Sequence, residues 1–255
     1  MFKIAKYVLQ DIFKNKVIIG YTLFLLIVTS SLFLLDNDVN KGISSLMSIV
    51  LIIVPLISMV FATTYFYNAY EFIELLVAQP VSRGHIILGI YLGMGIAMIG
   101  ALVIGVAVPL LCFAPSVVSV VLILAVMALT LIFVSLAFLS AVITRDKAKG
   151  VGVALLIWFY FAILYDGLVL SVLFSFSEYP LEKVMLACAV FNPVDLGRIT
   201  ILLKLDIAAL MGYTGAVYKQ FLGNNTGVMV ACGLMLLWII WPLWLSVKLF
   251  RKKNL

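Results

Sequence analysis

The chain has 255 residues, of which 65% are hydrophobic and 11% charged, with a mean hydropathy of +1.27 and a formal charge of +6. A soluble fold of this length cannot bury so much apolar surface, so lipid is its solvent. Cys112, Cys188 and Cys232 have no paired spacing and His85 is the single histidine, which argues against a metal site within the chain.

In chain order, Phe2–Lys16 comes first, with Lys3, Lys6, Gln10 and Lys14 at helical spacing and Phe2, Ala5, Leu9, Ile12 and Phe13 on the other face. This pattern predicts an amphipathic helix in the membrane interface, residues 1–16, with its basic face towards anionic headgroups. It serves either as an anchor or as an elbow that also touches a cytoplasmic partner. Six apolar runs follow: Val17–Leu35, Ile43–Tyr67, His85–Ala114, Ser116–Thr144, Val151–Phe174 and Thr226–Val247. Each exceeds the ~17–20 residues that a helix needs to cross a bilayer, and none alternates as a barrel strand would. Pro115 alone separates the third run from the fourth, which predicts a tight helical hairpin.

Six spans put both termini on one side. Lys3, Lys6, Lys14, Lys16, Arg83, Arg145, Lys147, Lys149, Lys248, Arg251, Lys252 and Lys253 share that side, against Lys41, Lys183, Arg198, Lys204 and Lys219 on the other. The positive-inside rule makes the first side cytoplasmic. The positive charge is therefore a topology signal, and nucleic acid is not an expected partner. No cleavage site follows the first apolar run, so no signal peptide is expected.

Between the second and third runs, residues 68–84 form a cytoplasmic link. Glu71 and Glu74 sit among Phe72, Ile73, Leu75, Leu76 and Val77, and Gln79-Pro80 and Ser82-Arg83-Gly84 follow. A short acidic and apolar helix is suited to dock into a groove of another protein.

Asp166, beside Tyr165, is the one acid or base in the interior of any span. It lies ~22 Å from the cytoplasmic start of the fifth span at ~1.5 Å per residue, where a carboxylate costs roughly 2.5–3.5 kcal/mol to insert. It is expected to face the bundle and to pair with a serine or tyrosine of another span. A structural clasp and a role in a substrate path or conformational switch both fit. An aspartyl protease does not, because no second span carboxylate is present.

Residues 175–225 form the longest polar interval and fall outside the cell on this topology. Asn192-Pro193-Val194-Asp195 is a helix start, with Asn as cap, Pro at the first position and an acid in the first turn. That helix carries Asp195, Arg198 and Asp206 along one side, and Lys183–Val190 and Met211–Leu222 are further half-apolar helical segments. The interval reads as a small helical cap, either packed over the bundle or docking an extracytoplasmic partner. No glycine-lysine pair of a P-loop occurs, so the chain is not expected to hydrolyse ATP by that route or to be an enzyme.

The order Glu74-Leu75-Leu76, Gln79-Pro80-Val81-Ser82-Arg83, then Ile86-Ile87-Leu88-Gly89 resembles the coupling segment of ABC-2 type permeases, the membrane subunits of ATP-driven transporters. One departure is Tyr70-Glu71-Phe72, where such permeases usually have Glu-x-Gly-Thr. Phe191–Ile199 with Leu202, Leu164–Leu170 and Met211-Gly212-Tyr213 resemble the permeases of the copper-delivery system that matures nitrous oxide reductase. The resemblance covers the whole chain. It implies an all-α bundle of six transmembrane helices with an N-terminal elbow and an outer cap, set in a bacterial inner membrane with both termini cytoplasmic. It also implies a second permease copy and a cytoplasmic ATPase that holds ATP and Mg, with Glu71, Glu74, Leu75, Gln79, Pro80 and Arg83 receiving its thrust. On the outside it implies a β-helical copper-binding protein that keeps the copper and docks at Asn192, Pro193, Asp195 and Arg198. Two alternatives stay open: an exporter of a lipid-like, peptide or drug substrate, and an anchor or immunity-type homologue with no outer partner.

Overall fold

The computed structural model describes residues 1–35, 38–175, 188–202, 204 and 225–252, and most of the predicted cap, including Asp206 and Met211–Leu222, lies outside them. The described residues are helical, with no strand among them. Six helices are long and apolar enough to cross a membrane: span 1 (Lys16–Leu35), span 2 (Val39–Asn68), span 3 (Arg83–Phe113), span 4 (Val117–Ile143), span 5 (Lys147–Val172) and span 6 (Met229–Lys252). The protein is an all-α integral membrane protein.

Short polar side chains start three of these helices. Asp38 accepts a hydrogen bond from the Asn40 amide at 3.0 Å, Ser116 from the Ser119 amide at 3.2 Å, and Asp146 from the Ala148 amide at 3.0 Å. Each satisfies a backbone donor that the first turn leaves open, which matters most where water is scarce. Pro115 separates Phe113 from Val117, and spans 3 and 4 form the expected hairpin.

Span 4 is the centre of the bundle. It packs against spans 2, 3, 5 and 6 and carries the fully buried Phe133 and Phe138. Phe138 meets Phe66 of span 2 and Tyr91 of span 3 edge-on, at ring separations of 5.5 and 5.8 Å. Spans 1, 5 and 6 bury few of their apolar side chains. Such surface faces lipid or another membrane protein, since hydrocarbon does not penalise it.

The N-terminal helix, Phe2–Phe13, lies along span 3 and buries Ile4, Ala5, Val8 and Ile12. This corrects the predicted apolar face, because Phe2 is 80% and Phe13 45% exposed. The reason lies in span 3. A Cβ on Gly93 would come within 2.7 Å of the Ala5 carbonyl oxygen and 2.8 Å of the Val8 side chain. That notch admits a backbone and small side chains, and the aromatic rings turn outwards.

Spans 3 and 5 each contain one wider, π-helical turn, at Val103–Ala107 and Tyr160–Leu164. The second ends where Tyr165-Asp166 begins. A π turn shifts the backbone hydrogen-bond register and often accompanies a functional site.

Candidate functional sites at the two ends of the bundle

On the side that carries both termini, the interspan helix Tyr70–Val77 buries Ile73 fully. Phe72 stacks on Tyr7 of the N-terminal helix, with ring centres 5.0 Å apart and planes 25° apart. Tyr65 at the end of span 2 donates to the Asp11 carboxylate at 3.0 Å, making a second tie to that helix. With one face held, the i, i+3, i+4 set Glu71, Glu74 and Leu75 is left outward, and Leu75 is 67% exposed. Gln79 and Pro80 extend the same exposed surface. Arg83 differs. It is half-buried, and its Nη1 donates to the Arg251 carbonyl oxygen at 3.4 Å, joining the start of span 3 to the end of span 6.

On the opposite side, the helix Pro193–Leu202 begins as the Asn-Pro-Val-Asp order predicts. Fully buried Asn192 accepts from the Val194 amide at 2.9 Å through its Oδ1. Its Nδ2 donates to the Asp195 carboxylate at 3.1 Å and to the Phe161 carbonyl oxygen at 3.0 Å. Phe161 lies inside the π turn of span 5, so this side-chain amide supplies a donor to a carbonyl of the altered turn.

Arg198 sits one turn beyond Asp195. Its Nη1 donates to Asp166 at 2.7 Å and to Asp195 at 3.1 Å. The expected serine or tyrosine partner of Asp166 is therefore replaced by an arginine from outside the spans. Two physical reasons account for this. Asp166 lies towards the far end of span 5, and arginine is long, permanently charged and the least strongly hydrated of the cationic groups. Tyr165 donates to the Cys188 carbonyl oxygen, and Trp238 of span 6 donates to that of Val190 at 3.1 Å. Spans 5 and 6 thus grip the segment that leads into this helix, while Val194, Leu196 and Leu202 are buried in the core.

Asn192 and Pro193 are buried, the Asp195 side chain is 16% exposed, and those of Arg198 and Asp166 are each 31% exposed. Their polar groups are directed at one another and at span 5 rather than outwards. Among the described residues, no three His, Cys, Asp or Glu side chains converge as a metal cage would require.

The two carboxylates outnumber the one guanidinium. Burial, and then the charge of Asp166, push the Asp195 carboxyl up from 3.8 to about 7, with Arg198 pulling the other way. An acid whose folded pKa is raised binds more protons folded than unfolded, so its stabilising effect is greatest at low pH and fades as pH rises from about 4 through 7. The protein's melting temperature should fall by a few degrees between about pH 5 and pH 7, on the order of 1–2 kcal/mol. Asp195→Asn should remove that slope, and an identical slope in the variant would assign it to another group.

The sequence pattern of ABC-2 family transporter proteins matches residues 2–255. The chain belongs to the ABC-2 family. It is similar to the probable ABC transporter permease protein NosY of Pseudomonas aeruginosa, at 28% identity over 188 residues, covering 69% of this chain and 68% of the relative. It is also similar to the protein of the same name from Stutzerimonas stutzeri, at 26% identity over 226 residues, covering 84% of this chain and 78% of the relative. This ABC-2 protein is a membrane permease of an ABC transporter, a family that implies an ATPase partner and a permease dimer.

Proposed function

We propose that this permease transmits the work of a cytoplasmic ATPase, through a bundle whose termini are cytoplasmic, to a copper-handling protein outside the membrane in nitrous oxide reductase maturation. The observation that carries the reading is span 5, which is tied at both ends. At its start, Lys147 donates to Asn68 at 2.8 Å, next to the interspan helix that presents Glu71, Glu74, Leu75, Gln79 and Pro80. About 28 Å further on, at ~1.5 Å per residue, Asp166 holds Arg198. Between these ties span 5 buries little of its surface and is joined to span 2 through Trp158, whose Nε1 donates to the Ile52 carbonyl oxygen at 3.1 Å, so a tilt of span 5 carries span 2 with it.

In this reading the ATPase engages the exposed acidic and apolar face and Arg83 braces the link against span 6. ATP and Mg belong to the ATPase, and a second permease copy matches the second ATPase. The Asn192–Arg198 cluster sets the tilt of the outer helix, and the outer protein meets the cap that this helix positions. Copper stays with the outer protein, and the permease passes motion rather than ions. Asp166 is the one acid or base in the interior of a span, which leaves a hydrated ion path without a lining.

The test is purification from native membranes in mild detergent with mass spectrometry of what accompanies the permease. An ATPase together with an extracytoplasmic copper-binding protein is the expected outcome. An ATPase alone would overturn the outer-partner reading and leave an exporter of a lipid-like, peptide or drug substrate.

A further inference from the structure

A groove of about 680 Å³ lies between spans 1 and 2, within the ~300–1,000 Å³ range of small-molecule sites. Span 1 leans chiefly on span 3, and its contact with span 2 is slight, which leaves the gap. The groove has a polarity gradient. Its floor and walls include Phe24, Leu56, Val60 and Phe61, whereas Asn15, Thr64 and Asn68 line its end nearest the termini. Val17 and Phe24 are exposed at its edge, so it opens sideways towards lipid.

Two observations identify the occupant. Tyr21 lines the groove and is 4% exposed, yet its hydroxyl has no hydrogen-bond partner among the described residues. A buried hydroxyl without a partner costs about 1–3 kcal/mol, so the site lacks an acceptor. Tyr21 stands five residues into span 1, ~7.5 Å at 1.5 Å per residue, the depth of the boundary between headgroups and acyl chains. The acceptor at that depth is an ester carbonyl.

The second observation is charge. Asn68 at the mouth is hydrogen-bonded to the ammonium of exposed Lys147, which has two further donors to offer. Lys14, Lys16, Arg145 and Lys149 belong to the same end of the bundle. Of the carboxylates at this end, Asp11 is held by Tyr65, Asp146 by the start of span 5, and Glu71 and Glu74 stand on the exposed face of the interspan helix, so the basic groups outnumber them. The mouth therefore favours an anion.

We propose that this groove binds one anionic phospholipid of the membrane. An acyl chain lies along the apolar walls, a small turn of the Tyr21 side chain brings its enclosed hydroxyl to an ester carbonyl, and the phosphate meets Lys147. The inference shares the Lys147–Asn68 contact with the proposed coupling route but uses neither the interspan helix nor the Arg198 cluster, and the Gly20 and Tyr21 variants test it without touching that contact. Seated there, the lipid would wedge span 1 from span 2 and complete their packing.

Gly20 supplies a clean probe, because a Cβ there meets nothing within 4 Å. The full permease in nanodiscs of equal phosphatidylglycerol and phosphatidylcholine would be released into gentle native mass spectrometry. The expected result is one retained phosphatidylglycerol per chain, favoured at least fivefold over phosphatidylcholine. Gly20→Phe, which fills the groove, should lower retention at least tenfold with helicity and melting temperature kept. Tyr21→Phe, which keeps the ring and removes the donor, should lower it several-fold and provides the test if Gly20→Phe fails to fold. Lys147→Ala should abolish the preference for the anionic lipid. Equal retention by wild type, Gly20→Phe and Tyr21→Phe would overturn the proposal. A disulfide between two Gly20→Cys copies in membranes, with no lipid retained by the wild type, would do so too and assign the face to a second copy.

Discussion

Arg198→Ala should lower the melting temperature of the purified permease by about 5–10 °C, the largest effect expected from any single charged side chain. The substitution leaves Asp166 and Asp195 facing one another without their shared cation. Exposed ion pairs are worth about 0–1 kcal/mol, and breaking a fully buried one costs about 3–5 kcal/mol. Groups that are roughly one-sixth to one-third exposed fall between these limits, at about 2–3 kcal/mol, and each kcal/mol is worth about 2–4 °C in a chain of this size. Arg198→Lys should recover part of the loss, because an ammonium keeps the charge but has a different reach and geometry. Arg198→Gln combined with Asp166→Asn should lose less than the sum of the two single changes, by about 1 kcal/mol or more. Strict additivity, or a melting temperature within 1 °C of wild type for Arg198→Ala, would mean that the pair does not hold the helix Pro193–Leu202 to span 5.

Glu71→Lys with Glu74→Lys should abolish stimulation of the ATPase by the permease while leaving the permease folded. Both side chains are exposed, whereas the helix is held through Ile73 and the Phe72–Tyr7 stack. Reversing two charges on a docking face turns attraction into repulsion, and each ~1.4 kcal/mol lost is a tenfold fall in affinity. The readout is ATP hydrolysis by the reconstituted complex against the ATPase alone, with the melting temperature as a control on folding. Stimulation equal to wild type would move the contact off this helix. The two experiments separate the ends of the machine, since Arg198→Ala leaves the interspan helix untouched.

Much of this architecture is legible in the amino-acid order because the bilayer makes strong and local demands. Length and apolarity alone placed six helices to within a few residues, and Pro115 placed the hairpin between spans 3 and 4. Asn192-Pro193 placed the start of the helix Pro193–Leu202, since the chemistry of a helix cap is complete within three or four residues.

The Asp166–Arg198 pair was half legible. A lone carboxylate inside a span demands a partner, and Arg198 is the sole arginine among the basic residues assigned to the far side, but 32 residues separate the two. The Phe161 carbonyl that receives Asn192 had no signal at all, because it arises from a π turn in the backbone rather than from a residue type.

The sequence by itself determined the class, the spans, and the acidic and apolar character of the link between spans 2 and 3. Those properties follow from transfer free energies summed along the chain, and they need no knowledge of what touches what. Only the tertiary structure decided which face of the N-terminal helix is buried, where the groove beside Tyr21 opens, and that Asp195 and Arg198 turn inwards. These depend on shape: a glycine notch in span 3, a slight contact between spans 1 and 2, and a helix that sets an arginine within reach of span 5. Inside a membrane every apolar face is equally soluble in lipid, so composition cannot choose among faces, and close packing and the pairing of the few polar groups make the choice.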